Sequence, residues 1–178
     1  MKMRAQSLIT AVEDVLQQGS TFLDSVGDEV YARPLDGPLA ASLGAHYRHT
    51  LDHFLCLIEG IRTCRINYDQ RRRDQQVEKS VECARRATES LIEEFRGLST
   101  EILERQCTVI YSVGYGEGEA EAVPSNLARE LMFCVGHTIH HYALLRMLCG
   151  GIGVRVPYEF GIAPSTLKHL EAESARRA

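Results

Sequence analysis

The sequence predicts an all-α protein, a four-helix bundle with a short β-hairpin between its third and fourth helices. Three observations lead there. Four stretches carry apolar residues at helical spacing. A connection of about 20 residues separates the first two, the kind of crossover that bundles accommodate. Before the last stretch, a β-branched and aromatic run followed by a glycine-rich turn breaks the helical pattern. The chain has 178 residues, 44% of them hydrophobic, enough to bury one core, so residues 1–178 are read as a single domain.

The first helix covers residues 4–18, with Leu8, Ile9, Val12, Val15 and Leu16 on one stripe. Gly19, Ser20, Gly27, Pro34, Gly37 and Pro38 punctuate the connection that follows, which has room for a helical turn around Thr21 to Val26. The second helix is expected over 39–64, its broad apolar face formed by Leu43, Tyr47, Thr50, Leu51, Phe54, Leu57, Ile58 and Ile61. The third covers 73–96 (Val77, Val81, Ala84, Leu91, Ile92, Phe95) and stops at Gly97. Cys107 to Val113 is strand-like, and Tyr115-Gly116-Glu117-Gly118 turns the chain. Pro124-Ser125-Asn126 opens the fourth helix, which ends at Gly150-Gly151. That helix is apolar nearly all round, which predicts the most buried element. The tail, with Pro157 and then a short helix opened by Pro164-Ser165-Thr166, is expected to pack across one end. No internal repeat or low-complexity segment is present.

Charge and composition narrow the function classes. A net charge of −4 argues against nucleic acid or an anionic membrane as an obligate partner. The first residues carry charges where a secretory leader needs its apolar stretch, and no apolar run approaches the ~18 residues of a membrane span. A cytoplasmic protein is expected. The six cysteines (Cys56, Cys64, Cys83, Cys107, Cys134, Cys149) are scattered without a C-x-x-C pair and read as reduced thiols.

The histidines carry the strongest chemical signal. His137 and His141 lie one turn apart on the fourth helix, about 40° from each other around its axis, whereas His140 points about 60° to the other side. His46, His49 and His53 fall within about 60° on the second helix, where His49 and His53 form another i,i+4 pair. Helical geometry alone does not choose among those three. Any single one could be a core-edge residue bonded to a carbonyl or carboxylate. Burying five imidazoles on two apolar faces with no shared partner, however, leaves unsatisfied nitrogens, and one metal ion resolves that. Thr138 rules out H-E-x-x-H, no histidine has a glutamate three residues earlier, and C-x-x-C-H is absent, so zincin, di-iron and covalent-haem sites are excluded.

Several other residues are candidates for supporting roles. Glu130 shares a stripe with His137 but lies seven residues back, roughly 10.5 Å along the axis, too far to join both histidines on one ion. It can instead orient a histidine of the facing helix or pair with an arginine. Arg71, Arg72 and Arg73 are either an anion clamp or a solvated basic turn. Tyr111, Tyr115 and Tyr142 either line a pocket mouth or pack.

The segments from Leu43 to Phe54 (LGAHYRHTLDHF), and from Glu130-Leu131 through Gly136-His137-Thr138-Ile139-His140-His141, resemble the two histidine helices of DinB-like (YfiT-type) proteins. The resemblance implies an up-down-down-up bundle. It also implies a metal (zinc, nickel or iron) held by three histidines, two in H-x-x-x-H spacing and one from the second helix. Matched residue by residue, these are His137, His141 and His49, with His53 the local rival. The family further implies a homodimer and a small-molecule substrate. Its characterised members include S-transferases using low-molecular-weight thiols and a mycothiol-dependent isomerase. The common H-R-G-Q continuation is here His141-Tyr142-Ala143-Leu144.

The expected function is therefore a metal-dependent enzyme of the DinB-like type, with thiol-dependent S-transferase or hydrolase-like chemistry and with Glu130 or Asp52 supporting the ligands. The rivals are a non-catalytic, stress-related bundle that binds a metal or small ligand, and a structural dimer whose histidines only pack. Because ligand histidines must be deprotonated, metal loss is expected below about pH 6.

Overall fold

Helix caps set most of the boundaries in the computed structural model, which describes residues 2–35, 41–115 and 120–177, with side chains from Gln6 onward. Helix α1 (Lys2–Leu23) outruns its expected end, and the short helix falls later, at α2 (Asp28–Ala32), rather than around Thr21 to Val26. Asp28 and Glu29 favour a helix start there, and Tyr31 anchors it in the core. Helix α3 (Leu43–Ile61) begins where the Ser42 side chain accepts the Ala45 N–H at 2.9 Å, four residues after the expected start. Gly37, Pro38 and Leu39 lie outside the described residues.

The third predicted helix is two. Ser80 has extended backbone angles and closes α4 (Gln75–Lys79), donating its N–H to the Gln76 carbonyl. Its side chain then accepts the Cys83 N–H to open α5 (Val81–Arg96). Gly97 ends α5 as expected.

A 3₁₀ turn (Thr100–Glu104) leads into β2 (Gln106–Tyr111), which pairs antiparallel with β3 (Glu121–Asn126) in the expected hairpin. Of the turn at Tyr115-Gly116-Glu117-Gly118, positions 116–118 lie outside the described residues. The sheet also holds a strand not expected from sequence, β1 (Arg65–Asn67), parallel to β2. Pro124 and Ser125 belong to β3 rather than to the helix start; Pro124 is tolerated because β3 is an edge strand, and Asn126 caps the helix that follows.

Ion pairs and ring contacts fix the helix directions. Asp24 pairs with Arg85 and Glu13 with Arg96, so α1 and α5 are antiparallel. Tyr47 meets Thr88 and Phe54 meets Phe95, so α3 and α5 are parallel. His49 meets His137 while His53 meets Cys134, so α3 and α6 (Leu127–Gly151) are antiparallel. The result is an up-down-down-up four-helix bundle. Its largest fully buried side chains include Tyr31, Tyr47, Tyr142, Phe22, Phe54 and Phe95.

Helix α6 is one-sided, not buried all round. Leu127, Leu131, Cys134, Thr138, Tyr142, Leu145 and Cys149 face the core, while Met132 is 61% and Met147 74% exposed. In the tail, Phe160 does the packing, stacked on Phe22 at 5.1 Å and Tyr142 at 4.6 Å. Gly161 has φ +72° and sits so close to the Tyr142 backbone that a Cβ would lie 2.5 Å from it. The tail thus packs as expected, but through Phe160 rather than through its terminal helix α7 (Pro164–Arg177), which buries no residue.

Gly44 shows how closely α4 lies on α3. A Cβ there would sit 2.0 Å from the Glu78 carbonyl oxygen and 2.7 Å from the Tyr31 ring. Gly44→Ala is expected to destabilise the fold by about 1–3 kcal/mol, read as a lowered urea midpoint at unchanged slope.

Candidate metal centre

The antiparallel pairing of α3 and α6 brings the two histidine groups face to face. Nε2 of His49 and Nε2 of His137 are 3.1 Å apart. His53 donates its Nδ1–H to the His49 carbonyl at 2.9 Å; a carbonyl only accepts, so the His53 tautomer is set and its Nε2 keeps a free lone pair. Ligand nitrogens of His49, His53 and His137 all lie within 4.8 Å of one another.

His141 stands outside that trio. Its ring centroid is 4.5 Å from His49 and 4.6 Å from His137, but its Nδ1 lies 3.5 Å from Nδ1 of His46. His46 has a buried Nε2 without a partner. His140 is exposed beside His141, on the flank that helical geometry gives it.

Every histidine of the cluster favours its neutral form. Burial, reinforced by neighbouring imidazoles and by Arg71, pushes His49 down to about 2 and His137 to about 3. Burial, with His46, His140 and His53 around it, takes His141 to about 4. Burial also lowers His53 and His46. Neutral imidazoles are what a metal needs. The 3.1 Å spacing suits two nitrogens each about 2.0–2.1 Å from one ion. The residues fit a divalent metal.

Two aromatic rings brace the cluster. Tyr68 stacks on His53 at 5.4 Å and Phe133 on His137 at 5.6 Å. The Tyr68 hydroxyl donates to Oε2 of Glu130 at 3.0 Å, while Ser125 and Arg129 donate to Oε1 at 2.6 and 3.2 Å. Glu130 is only 2% exposed, and its action on the histidines passes through Tyr68. Asp52 is buried against Arg48, and burial raises its carboxyl pKa. In the sequence Tyr68 is only the aromatic residue that precedes the arginine run, and nothing in the letters gives it a role at the histidines. Burial pushes the Cys134 thiol up to about 12, so this neighbour of Tyr68 is no thiolate.

The pocket-mouth tyrosines separate. Tyr111 lines a cavity of about 360 Å³ together with Tyr68, Val109, Arg129, Glu130 and Phe133. Tyr115 is fully exposed, and Tyr142 lies in the core. The arginines separate too. Arg72 pairs with Glu59 on the surface, Arg73 is exposed in a left-handed conformation (φ +52°), and Arg71 is half-buried, with Nη1 donating to the Tyr68 carbonyl at 2.6 Å.

The fold has a counterpart among solved structures. A DinB-like protein (YjoA) from Bacillus subtilis superposes with a TM-score of 0.65, covering 86% of this chain and 98% of that one at 14% identity. The chain has a DinB-like fold. No family model matches the sequence of this DinB-like bundle. Over 108 residues it is 30% identical to FK506-binding protein 5 of Rhizopus delemar. That match covers 61% of this chain but 28% of the fungal protein, so the chain spans less than a third of that relative's length. Among the described residues, no helix of the DinB-like bundle is long and apolar enough to cross a membrane.

Proposed function

We propose that this DinB-like bundle is a metal-dependent enzyme acting on a small molecule, with His49 and His137 as ligands and His53 as the third. The carrying observation is the convergence of three neutral imidazoles, from helices far apart in sequence, within 4.8 Å. His141, favoured as third ligand by the family resemblance, stays the alternative. A zinc, nickel or iron ion there supplies a Lewis acid that lowers the pKa of a coordinated water or small thiol towards neutrality. The protein's own groups hold the site in shape: the His49 carbonyl sets the His53 tautomer, Tyr68 and Phe133 shield the rings, and Glu130 pins Tyr68. Transfer of a low-molecular-weight thiol to an electrophile, or hydrolysis, suits this chemistry. A non-catalytic metal- or ligand-binding bundle is the second reading, favoured if the metal binds without turnover. The exposed Met132 and Met147 on the outer face of α6 support a homodimer as the working state.

The test is metal content and thermal response. Untagged protein is expected to carry close to one divalent ion per chain by elemental analysis. Stripped protein given zinc or nickel at about 100 times its Kd gains about 2.7 kcal/mol, a Tm rise of roughly 5–10 °C. Metal-free protein whose Tm ignores both ions would reduce the histidines to packing residues.

A further inference from the structure

The turn Tyr68-Asp69-Gln70-Arg71-Arg72-Arg73-Asp74 connects β1 to α4 beside the histidine cluster. Its cations, and the one facing them on α3, differ in how they are satisfied. Arg72 is exposed and paired with Glu59. Arg48 is occupied by Asp52 and Glu78. Arg73 is exposed. Arg71 is half-buried and makes no ion pair among the described residues; its charge reaches Asp52, but that carboxylate is already taken by Arg48. One guanidinium nitrogen is held by the Tyr68 carbonyl, and the Tyr68 ring lies on His53, so the same short segment braces the cluster and positions the cation.

We propose that Arg71 makes this an anion site, binding a carboxylate of the small-molecule substrate beside the histidine cluster. The inference rests on the metal reading above. A half-buried guanidinium without an ion-pair partner has lost part of its hydration, and one carbonyl restores only some of it. The charge of Arg71 bears on His49, His53 and His137, so it also opposes a divalent cation among them. One anionic ligand relieves both conditions. Arg71 offers five N–H donors in a planar fork, and the Tyr68 carbonyl takes only part of that set. A single guanidinium matches the single charge and planar edge of a carboxylate better than the double charge of a phosphate.

The test uses the full chain loaded with cobalt(II), titrated calorimetrically with benzoate, with neutral benzamide and with inorganic phosphate. Benzoate is expected to bind at least about tenfold more tightly than either of the others. Arg71→Gln is expected to lose roughly 10- to 100-fold in benzoate affinity, the range of a hydrogen bond to a charged group. Arg71→Lys should recover part of it. The Gln variant should bind cobalt no more weakly than the parent, and more tightly once the repelling charge is gone, whereas mere structural damage would weaken cobalt. Benzoate binding that is absent, indifferent to Arg71, or matched by benzamide or phosphate overturns the inference while leaving the metal reading intact. Weakened cobalt binding in Arg71→Gln overturns it too, by making Arg71 a packing residue. Protein that takes up no cobalt overturns the metal reading and this inference with it.

Discussion

Replacing both His49 and His137 with alanine is expected to abolish stoichiometric metal binding while leaving the helical content of the bundle unchanged. These two nitrogens, 3.1 Å apart, belong to either ligand set, whether the third is His53 or His141. With both gone, neither set retains more than one histidine. Structural zinc sites of four ligands bind with about 10–16 kcal/mol, so each ligand is worth on the order of 3 kcal/mol, or roughly 100-fold in affinity. Loss of two puts the site beyond stoichiometric loading at micromolar protein. Both side chains are only partly buried at the bundle wall, so the fold loses little, and circular dichroism serves as the control. Single variants then decide the third ligand. His53→Ala is expected to lose about 100-fold, and His141→Ala less, because His141 faces His46 rather than the trio. Full occupancy in the double variant, measured by elemental analysis, would refute the metal centre. The reverse order of the two single variants would give the third position to His141.

The sequence carried the bundle because burial writes a 3.6-residue period wherever a helix covers a core. It carried less where one residue decides. Ser80 sits inside a run whose apolar spacing continues across it, and a serine in a helical pattern does not announce that its backbone leaves the helix. β1 is three residues long, too short for a period of two to register. Helix α6 carries apolar residues on faces that stay exposed, at Met132 and Met147, and hydrophobicity alone does not say which face meets a neighbour. At the site, i,i+4 spacing picks out His49, His53, His137 and His141 but not their orientation. His53 is turned by a hydrogen bond to the carbonyl one turn back, and His141 by His46. The three arginines look alike as letters; only the fold of the Tyr68 turn directs Arg71 inward.

Stability of the metal-free protein is expected to fall as pH is lowered from 7 to 5, because the folded chain resists protonating its buried imidazoles. An unfolded histidine titrates near 6.5, while burial takes His49, His137 and His141 to about 2, 3 and 4 in the folded state. Below 6.5 the unfolded chain therefore binds more protons than the folded one, and stability rises with pH through that window. The contribution is whole above pH 6.5 and erodes towards the folded values. Solvent screening at these partly exposed rings moderates it, so a Tm decrease of roughly 5–10 °C between pH 7 and 5 is expected. Asp52, whose carboxyl is raised by burial, acts in the opposite sense, so the comparison is with His49→Gln/His137→Gln/His141→Gln, in which the slope should flatten. The same depression changes what is expected of the metal. His49 and His137, taken to about 2 and 3, with His53 also lowered by burial, do not yield an ion to protons at pH 6, as ordinary histidines would. Loaded protein should therefore keep its ion below pH 6 and lose it together with the fold. Release near pH 6 from protein that remains folded would show that the ligand histidines titrate as exposed groups, contrary to the burial that makes this cluster a site.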